Sequence, residues 1–250
     1  KHTVSASLTD NTKYMNRALP VKKSFDIIER TLIIGGQNSA FYFIDGFTKD
    51  EIMLKLMDSF LNISADDMPE DATSFSTSCI PYVEVDILGD FDSIFKNLLS
   101  GVTCLFIDGY EAAIAIDCRT YPSRSIEEPD KDKSLRGSRD GFVETIVFNT
   151  ALMRRRIRDP HLIMEMYEAG TSTRTDVALC YMSDRVDREL LTTIQNKLEE
   201  SKSQDLKMSQ QSLAESLFQR KWYNPFPKYK FTERPDTACA CLMEGKVILL

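Results

Sequence analysis

Apolar and polar positions follow strand-like and then helix-like spacing in the first part of the chain. Residues 24–34 and 39–47 are rich in β-branched and aromatic side chains, which predicts two strands. Residues 48–63 place apolar side chains at intervals of three and four, which predicts a helix with one buried face. Thr48 and Glu51 stand three residues apart, as in a capping box, so we expect Thr48 to cap this helix.

Further alternation follows this helix. Residues 64–78 are mostly polar and predict a loop, whereas the pattern across residues 80–88 predicts a strand. A short helix is predicted over residues 90–101, closed by its final glycine. Two apolar runs then flank Asp108-Gly109, a dipeptide typical of a hairpin turn. The first half therefore predicts a sheet packed with helices.

The second half also alternates between helix-like and strand-like patterns, and it begins after a charged loop. This loop, residues 122–140, contains prolines, glycines and charges of both signs. The periodicities beyond it predict helices over 141–158, 186–201 and 209–218, strands over 162–170 and 176–184, and a strand, turn and strand over 237–250.

Two similar stretches indicate a division into halves. "CLFIDGYEAAIAI" and "CLMEGKVILL" each place an acid and a glycine between apolar runs. We predict an α/β fold with two small subdomains, each a mixed sheet packed with helices. The expected organisation is a flexible lead-in over residues 1–22, a first subdomain over 23–138 that ends in the charged linker, and a second over 139–250. Because the chain starts without Met and ends in a strand-like run, we expect a fragment of a longer protein.

Composition and charge limit the possible functions. The chain has 250 residues, 42% apolar and 28% charged, which is ordinary for a folded domain. Its net charge of −7 argues against a general nucleic-acid binder. The six cysteines form no CxxC pair and lie mostly in apolar runs, so we expect reduced, buried thiols. No apolar run approaches the roughly 18 residues of a membrane span.

Motifs that carry catalysis or bind cofactors are missing. The chain has no GxxxxGK[ST] loop and no GxGxxG after a strand. "GSRDG" lacks the central serine of a nucleophile elbow, and "DKDKSLRG" fails as a calcium loop because Leu135 stands where glycine is needed. We therefore expect no enzyme, no metal site and no cofactor.

Arginines are concentrated at the end of the helix predicted over 141–158. Phe142, Ile146, Met153 and Ile157 would form its apolar stripe, and Arg154 and Arg158 would share another face. The arginines can bind terminal carbonyls and loop acids, form contacts between subunits or subdomains, or bind phosphate headgroups. "WYNPFP" either packs on the sheet or forms a partner pocket. The candidate interface residues are Arg136, Arg139, Arg154, Arg155, Arg158 and Trp222.

Longer motifs resemble a known family. "RTYPSRSIEEPDKDKSLRGSRDGFVETIVFNTALMRRRIRDP", then "TRTDVALCYM" and "WYNPFPKYKFTERPDTA", resemble the signature of the GerA family, the A subunits of spore germination receptors. "GSRDGFVETIVFNTAL" and "FYFIDGFTKDEIM" resemble one branch of that family in particular. The resemblance extends over about residues 24–250.

The resemblance implies a membrane protein of the inner spore membrane. This chain would be its soluble N-terminal region, with two small α/β subdomains on the cytoplasmic, spore-core side, and the membrane domain would follow it. The family implies a homo-oligomer that acts as an ion channel during germination. The branch implies a subunit that amplifies ion release together with a small membrane partner and other germination membrane proteins. The alternative is a domain that senses a germinant or another small molecule.

Overall fold

The chain folds into two compact units. The computed structural model describes residues 2–81, 84–120, 140–202 and 229–250. Of these, unit 1 contains the described residues up to 120 together with 157–160, and unit 2 contains 140–156 and the described residues from 161 onward. The boundary predicted between residues 138 and 139 lies outside the described residues, as does the helix predicted over 209–218.

Unit 1 is built on a five-stranded antiparallel sheet. Its strand order is β1-β2-β4-β5-β3. The two-residue turn Gly35-Gly36 joins the first hairpin, and φ values of 52° and 77° explain the two glycines, because both positions are left-handed. The strands are β1 Ile27–Ile34, β2 Gln37–Ile44, β3 Val85–Leu88, β4 Thr103–Ile107 and β5 Ala113–Ile116.

Helices cover both faces of this sheet. On one face Phe41 packs with Phe60 of α2 and lies in a core that includes Phe75 of α3. Side chains alternate along a strand, so Tyr42 points to the other face and meets Phe106 there. The helices are α1 Leu8–Ala18, α2 Asp50–Leu61, α3 Ala72–Ser78 and α4 Phe91–Leu99.

Two segments predicted to be irregular are helical. The predicted lead-in contains α1, where Ser7 Oγ accepts from the Asp10 amide at 3.3 Å and Met15 is buried. The predicted loop 64–78 contains α3, where an Asp71 carboxylate oxygen accepts from the Ser74 amide at 2.7 Å. Both predictions were wrong because these segments have few regularly spaced apolar residues. An N-cap residue nevertheless starts each helix.

The predicted capping box at Thr48 does not form. Helix α2 has Lys49 at its N-cap position and no side-chain cap. Thr48 instead forms a β-bridge with Arg119, and the Thr120 amide donates to the Phe47 carbonyl at 2.7 Å. This pairing holds Thr48 in extended backbone, so the helix begins after it.

Unit 2 contains a three-stranded antiparallel sheet in the order β6-β7-β8. Its strands are β6 Leu162–Ala169, β7 Thr175–Met182 and β8 Ile248–Leu249. Its helices are α5 Ile146–Arg156, α6 Arg188–Ser201 and α7 Pro235–Met243. Leu191, Ile194 and Leu198 of α6 pack on one face of the β6-β7 hairpin, and α5 and α7 pack against each other and β7. The predicted α/β class is confirmed, although all described strand pairs are antiparallel, so the sheets are not mixed.

The end of unit 2 differs from its prediction. Residues 237–250 were expected to form a strand, turn and strand, but α7 occupies the first part. Pro235 stands in its first turn, where proline is favourable, and Ala238 and Leu242 are buried four residues apart. A short apolar run fits a helix or a strand equally well, so the local pattern misled the prediction.

Candidate functional site

The arginine-rich end of α5 is the candidate site, and its start differs from the prediction. The amide of Phe142 donates to the Glu233 carbonyl at 2.8 Å. The Asn149 side chain accepts from the Val143 amide at 2.8 Å and donates to the Val143 carbonyl at 2.6 Å. These bonds use backbone groups that a longer helix would require. Helix α5 therefore begins at Ile146, five residues later than predicted.

Helix α5 ends at Arg156, so the predicted site residue Arg154 lies within the helix and the predicted site residue Arg158 lies beyond it. Arg158 follows the helix and is exposed, so it does not share a helix face with Arg154 as predicted. Arg155 lies in the last turn and is exposed. Its position near the helix C-terminus suits the helix dipole, a contribution of about 0.3–1 kcal/mol.

Arg154 is the largest fully buried side chain among the described residues, at 0% exposure. Its Nη2 donates to the Leu162 carbonyl at 2.9 Å, at the start of β6. A buried guanidinium is retained only where its donors are satisfied. Arg154 therefore fixes the end of α5 to the β6-β7 hairpin and does not face solvent.

Arg156 is ion-paired in unit 2. Its Nη2 lies 2.6 Å from an Asp140 carboxylate oxygen, and its Nη1 donates to the Leu152 carbonyl at 3.2 Å. Arg234 makes a two-pronged pair with Asp236, at 2.6 and 3.1 Å. The hydrogen bond from Arg234, helped by the charge of Arg156, lowers the pKa of Asp236. The site therefore contains bonded ion pairs. The other predicted site residues, Arg136, Arg139 and Trp222, lie outside the described residues.

A network of hydrogen bonds around a carboxylate lies on the α6 side of unit 2 and was not predicted from the sequence. Glu165 of β6 accepts from Tyr181 at 2.6 Å, Tyr167 at 2.8 Å and Gln195 of α6 at 2.8 Å. Burial raises the pKa of both tyrosines, and the Glu165 carboxylate raises it further. The sequence contained a sign of this network, because Glu165 is an acid on the same face of β6 as the buried Ile163.

Unit 1 has a smaller version of this network. Glu29 of β1 accepts from Tyr42 of β2 at 2.8 Å and from Asn16 of α1 at 3.0 Å. In each unit a strand glutamate thus joins a tyrosine of the next strand to an amide side chain of a helix. These bonds join two strands and a helix within each unit.

A cavity of about 430 Å³ lies on unit 1. Its lining includes three carboxylates, Glu84, Asp86 and Asp117, and the guanidinium of Arg119. Arg119 Nε lies 2.7 Å from Asp117 Oδ1 and a second nitrogen also binds this carboxylate, which lowers the pKa of Asp117. Arg119 also reaches Ser100 Oγ at 3.3 Å.

Reactive groups are not assembled in the part of the chain that the structure describes. No group of three or more His, Cys, Asp or Glu residues there has the arrangement of a metal site. All six cysteines are free thiols, and burial raises the pKa of Cys118 and Cys239 to about 11. No described helix has the length and apolar character needed to cross a membrane.

Comparison with known proteins gives the family. A family profile described as "Bacillus/Clostridium GerA spore germination protein" matches residues 13–250. The chain belongs to this family of spore germination proteins, as its motifs had predicted.

Individual relatives agree with this membership. Stage V sporulation protein AF of Bacillus subtilis (strain 168), the branch that the motifs had indicated, is 33% identical over 241 residues, which cover 96% of this chain and 49% of that protein. Spore germination protein KA of the same organism is 28% identical over 251 residues, which cover 99% of this chain and 45% of the relative. The chain thus spans about half the length of these curated relatives.

A solved structure has the same fold. It is the N-terminal domain of the A subunit of the Bacillus megaterium spore germinant receptor GerK3, which superposes with a TM-score of 0.71. The match covers 100% of this chain and 92% of that one, at 22% identity. This structural similarity also confirms the predicted α/β fold class.

Proposed function

We propose that this chain is the N-terminal domain of a germination membrane protein, an A-subunit-like component of an oligomeric ion channel that promotes or amplifies ion release during spore germination. The observation that carries the proposal is the 33% identity with stage V sporulation protein AF over 96% of the chain. The fold of the GerK3 A-subunit domain supports the same position within the longer protein.

The proposed location is the inner spore membrane, with this domain on the spore-core side. A relative described as a membrane protein, YfkQ of Bacillus subtilis (strain 168), supports a membrane-bound whole protein, with 29% identity over 97% of this chain and 47% of its own length. The spans would lie in the half of the protein that this chain does not include. The proposed partners are further copies of the same protein, a small membrane protein and other germination membrane proteins.

We propose that the exposed arginines contribute to the contact between subunits. Arg155 and Arg158 are exposed, whereas Arg154 is buried and donates to the Leu162 carbonyl. Replacing both exposed arginines with glutamate should reduce crosslinked oligomers of the full-length protein, because arginine suits paired contacts with carboxylates. Arg188→Glu, an exposed arginine on α6, is the matched control. Unchanged oligomers in the double variant would remove these arginines from the interface.

A germinant-sensing domain is the second candidate. The cavity on unit 1 favours it, because carboxylates and Arg119 line the same space and could contact both charges of a zwitterion. The ion pair between Arg119 and Asp117 weighs against it, since a ligand carboxylate would compete with Asp117.

Ion release from spores separates the two candidates. The gene is deleted, and potassium release is followed after addition of several germinants that act through different receptors. An amplifying channel subunit predicts slower release with every germinant, restored by the intact gene. A sensor predicts loss of the response to one germinant only. Release at the normal rate with every germinant would contradict both candidates.

A further inference from the structure

Helix α2 carries apolar side chains on two sides. Leu56, Met57 and Phe60 are buried in the core of unit 1. Leu54 and Leu61 are instead 64% and 60% exposed. They stand seven residues apart, or two helical turns, so they lie on one side of the helix. We call this outward pair the α2 stripe.

Other described helices do not share this feature. Large exposed apolar side chains occur singly on α6 and α7, at Leu190 and Met243, and α1, α3, α4 and α5 have none. Single exposed apolar residues are normal on protein surfaces. Two leucines at heptad spacing on one helix are the pattern by which a helix receives another helix. The α2 stripe is therefore a candidate docking surface.

The charges around the stripe select the kind of partner. Asp50 and Glu51 precede Leu54 on α2 by four and three residues, and Asp58 stands between Leu54 and Leu61, so these three exposed carboxylates border the stripe on its side of the helix. Such a surface repels an anionic lipid bilayer and repels the same surface of a second copy. It attracts an apolar stripe flanked by lysine or arginine.

We propose that the α2 stripe binds an amphipathic helix of a partner protein, with leucine-like residues against Leu54 and Leu61 and with basic residues against the surrounding carboxylates. This interaction goes beyond the proposed channel function, because it involves neither the arginines of α5 nor the cavity. Apolar contacts would provide affinity, and the acidic surroundings would select the partner and speed association.

The test uses synthetic helical peptides and fluorescence anisotropy. The probe is a leucine–lysine peptide with leucines on one helical face. The expected result is binding that weakens at least tenfold in the variant Leu54→Gln/Leu61→Gln, because glutamine keeps helix propensity but removes the apolar contact. Ile33→Thr is the matched control, since Ile33 is 62% exposed in the same unit but lies on β1. Its affinity should equal that of the unsubstituted protein.

Two further peptides separate docking from charge attraction. A scrambled peptide of the same composition, with leucines spread around the helix, and a leucine–glutamate peptide should each bind at least tenfold more weakly. Equal binding of either peptide, or unchanged binding by the double variant, would overturn the proposal. Sedimentation gives the remaining outcome. Self-association that the double variant abolishes would identify a second copy as the occupant, and this too would overturn the proposal.

Discussion

Replacing Glu165 with glutamine should weaken unit 2 selectively. The carboxylate accepts three hydrogen bonds, from Tyr181, Tyr167 and Gln195, at 2.6–2.8 Å. A hydrogen bond to a charged group contributes about 1.5–3 kcal/mol, against about 1 kcal/mol for a neutral one. Glutamine has only one acceptor oxygen, so one donor would also face an amide NH₂ group. We expect a loss of about 2–4 kcal/mol in the free energy of opening unit 2.

Hydrogen exchange is the suitable assay because it resolves the two units. Amides of the β6-β7 hairpin and α6 should lose protection by about 30-fold or more, which corresponds to 2 kcal/mol. Glu168→Gln is the matched control, because this exposed residue lies three positions later on β6. Its effect should stay within about 0.5 kcal/mol. Equal protection in Glu165→Gln and Glu168→Gln would refute the structural role of the network.

The same variant makes a pH prediction. The pKa of Tyr167 and Tyr181 is raised by burial and by Glu165, so the folded protein retains these protons when the unfolded chain loses them at its ordinary pKa of about 10. Their contribution to stability is therefore complete below about pH 10 and falls as the pH rises above it. In Glu165→Gln the tyrosinate absorbance should appear at lower pH. An unchanged titration curve would contradict the assigned cause.

Three other predictions concern a buried arginine, a helix cap and the cysteines. Arg154→Met should cost about 1.5–3 kcal/mol of unfolding free energy in urea titrations, because the Leu162 carbonyl loses its charged donor, and a cost below 0.5 kcal/mol would contradict this. Asp187→Ala should cost about 1 kcal/mol in the same assay, because the Asp187 side chain caps α6 through two amides; no change would mean that another group caps this helix. With a thiol reagent, the partly exposed Cys79 and Cys241 should react before the four buried cysteines, and simultaneous reaction of all six thiols would show that the described burial is wrong.

Strong periodicity made most of the regular elements predictable. The β1-β2 and β6-β7 hairpins were predicted because β-branched and aromatic runs stand on both sides of glycine-containing turns. Helix α6 was predicted because its apolar residues repeat at helical spacing. Helix α7 was not, because small residues in "TACACLM" suit a strand as well as a helix.

The site was less predictable than the fold. Charge and position at a helix end made Arg154 a candidate interface residue, but tertiary packing buries it against the start of β6. Arg156 pairs with Asp140, because α5 starts late and leaves that aspartate within reach. Such pairings depend on backbone outside regular elements, which hydrophobic periodicity does not specify. Glu165 was recognisable in principle as an acid on the buried face of a strand.

The central claim is that this domain belongs to a membrane channel subunit, and the coding sequence downstream of the Leu250 codon tests it most directly. The account predicts several apolar segments of about 20 residues, each long enough to cross the bilayer. A stop codon soon after Leu250, with no such segment, would contradict the channel.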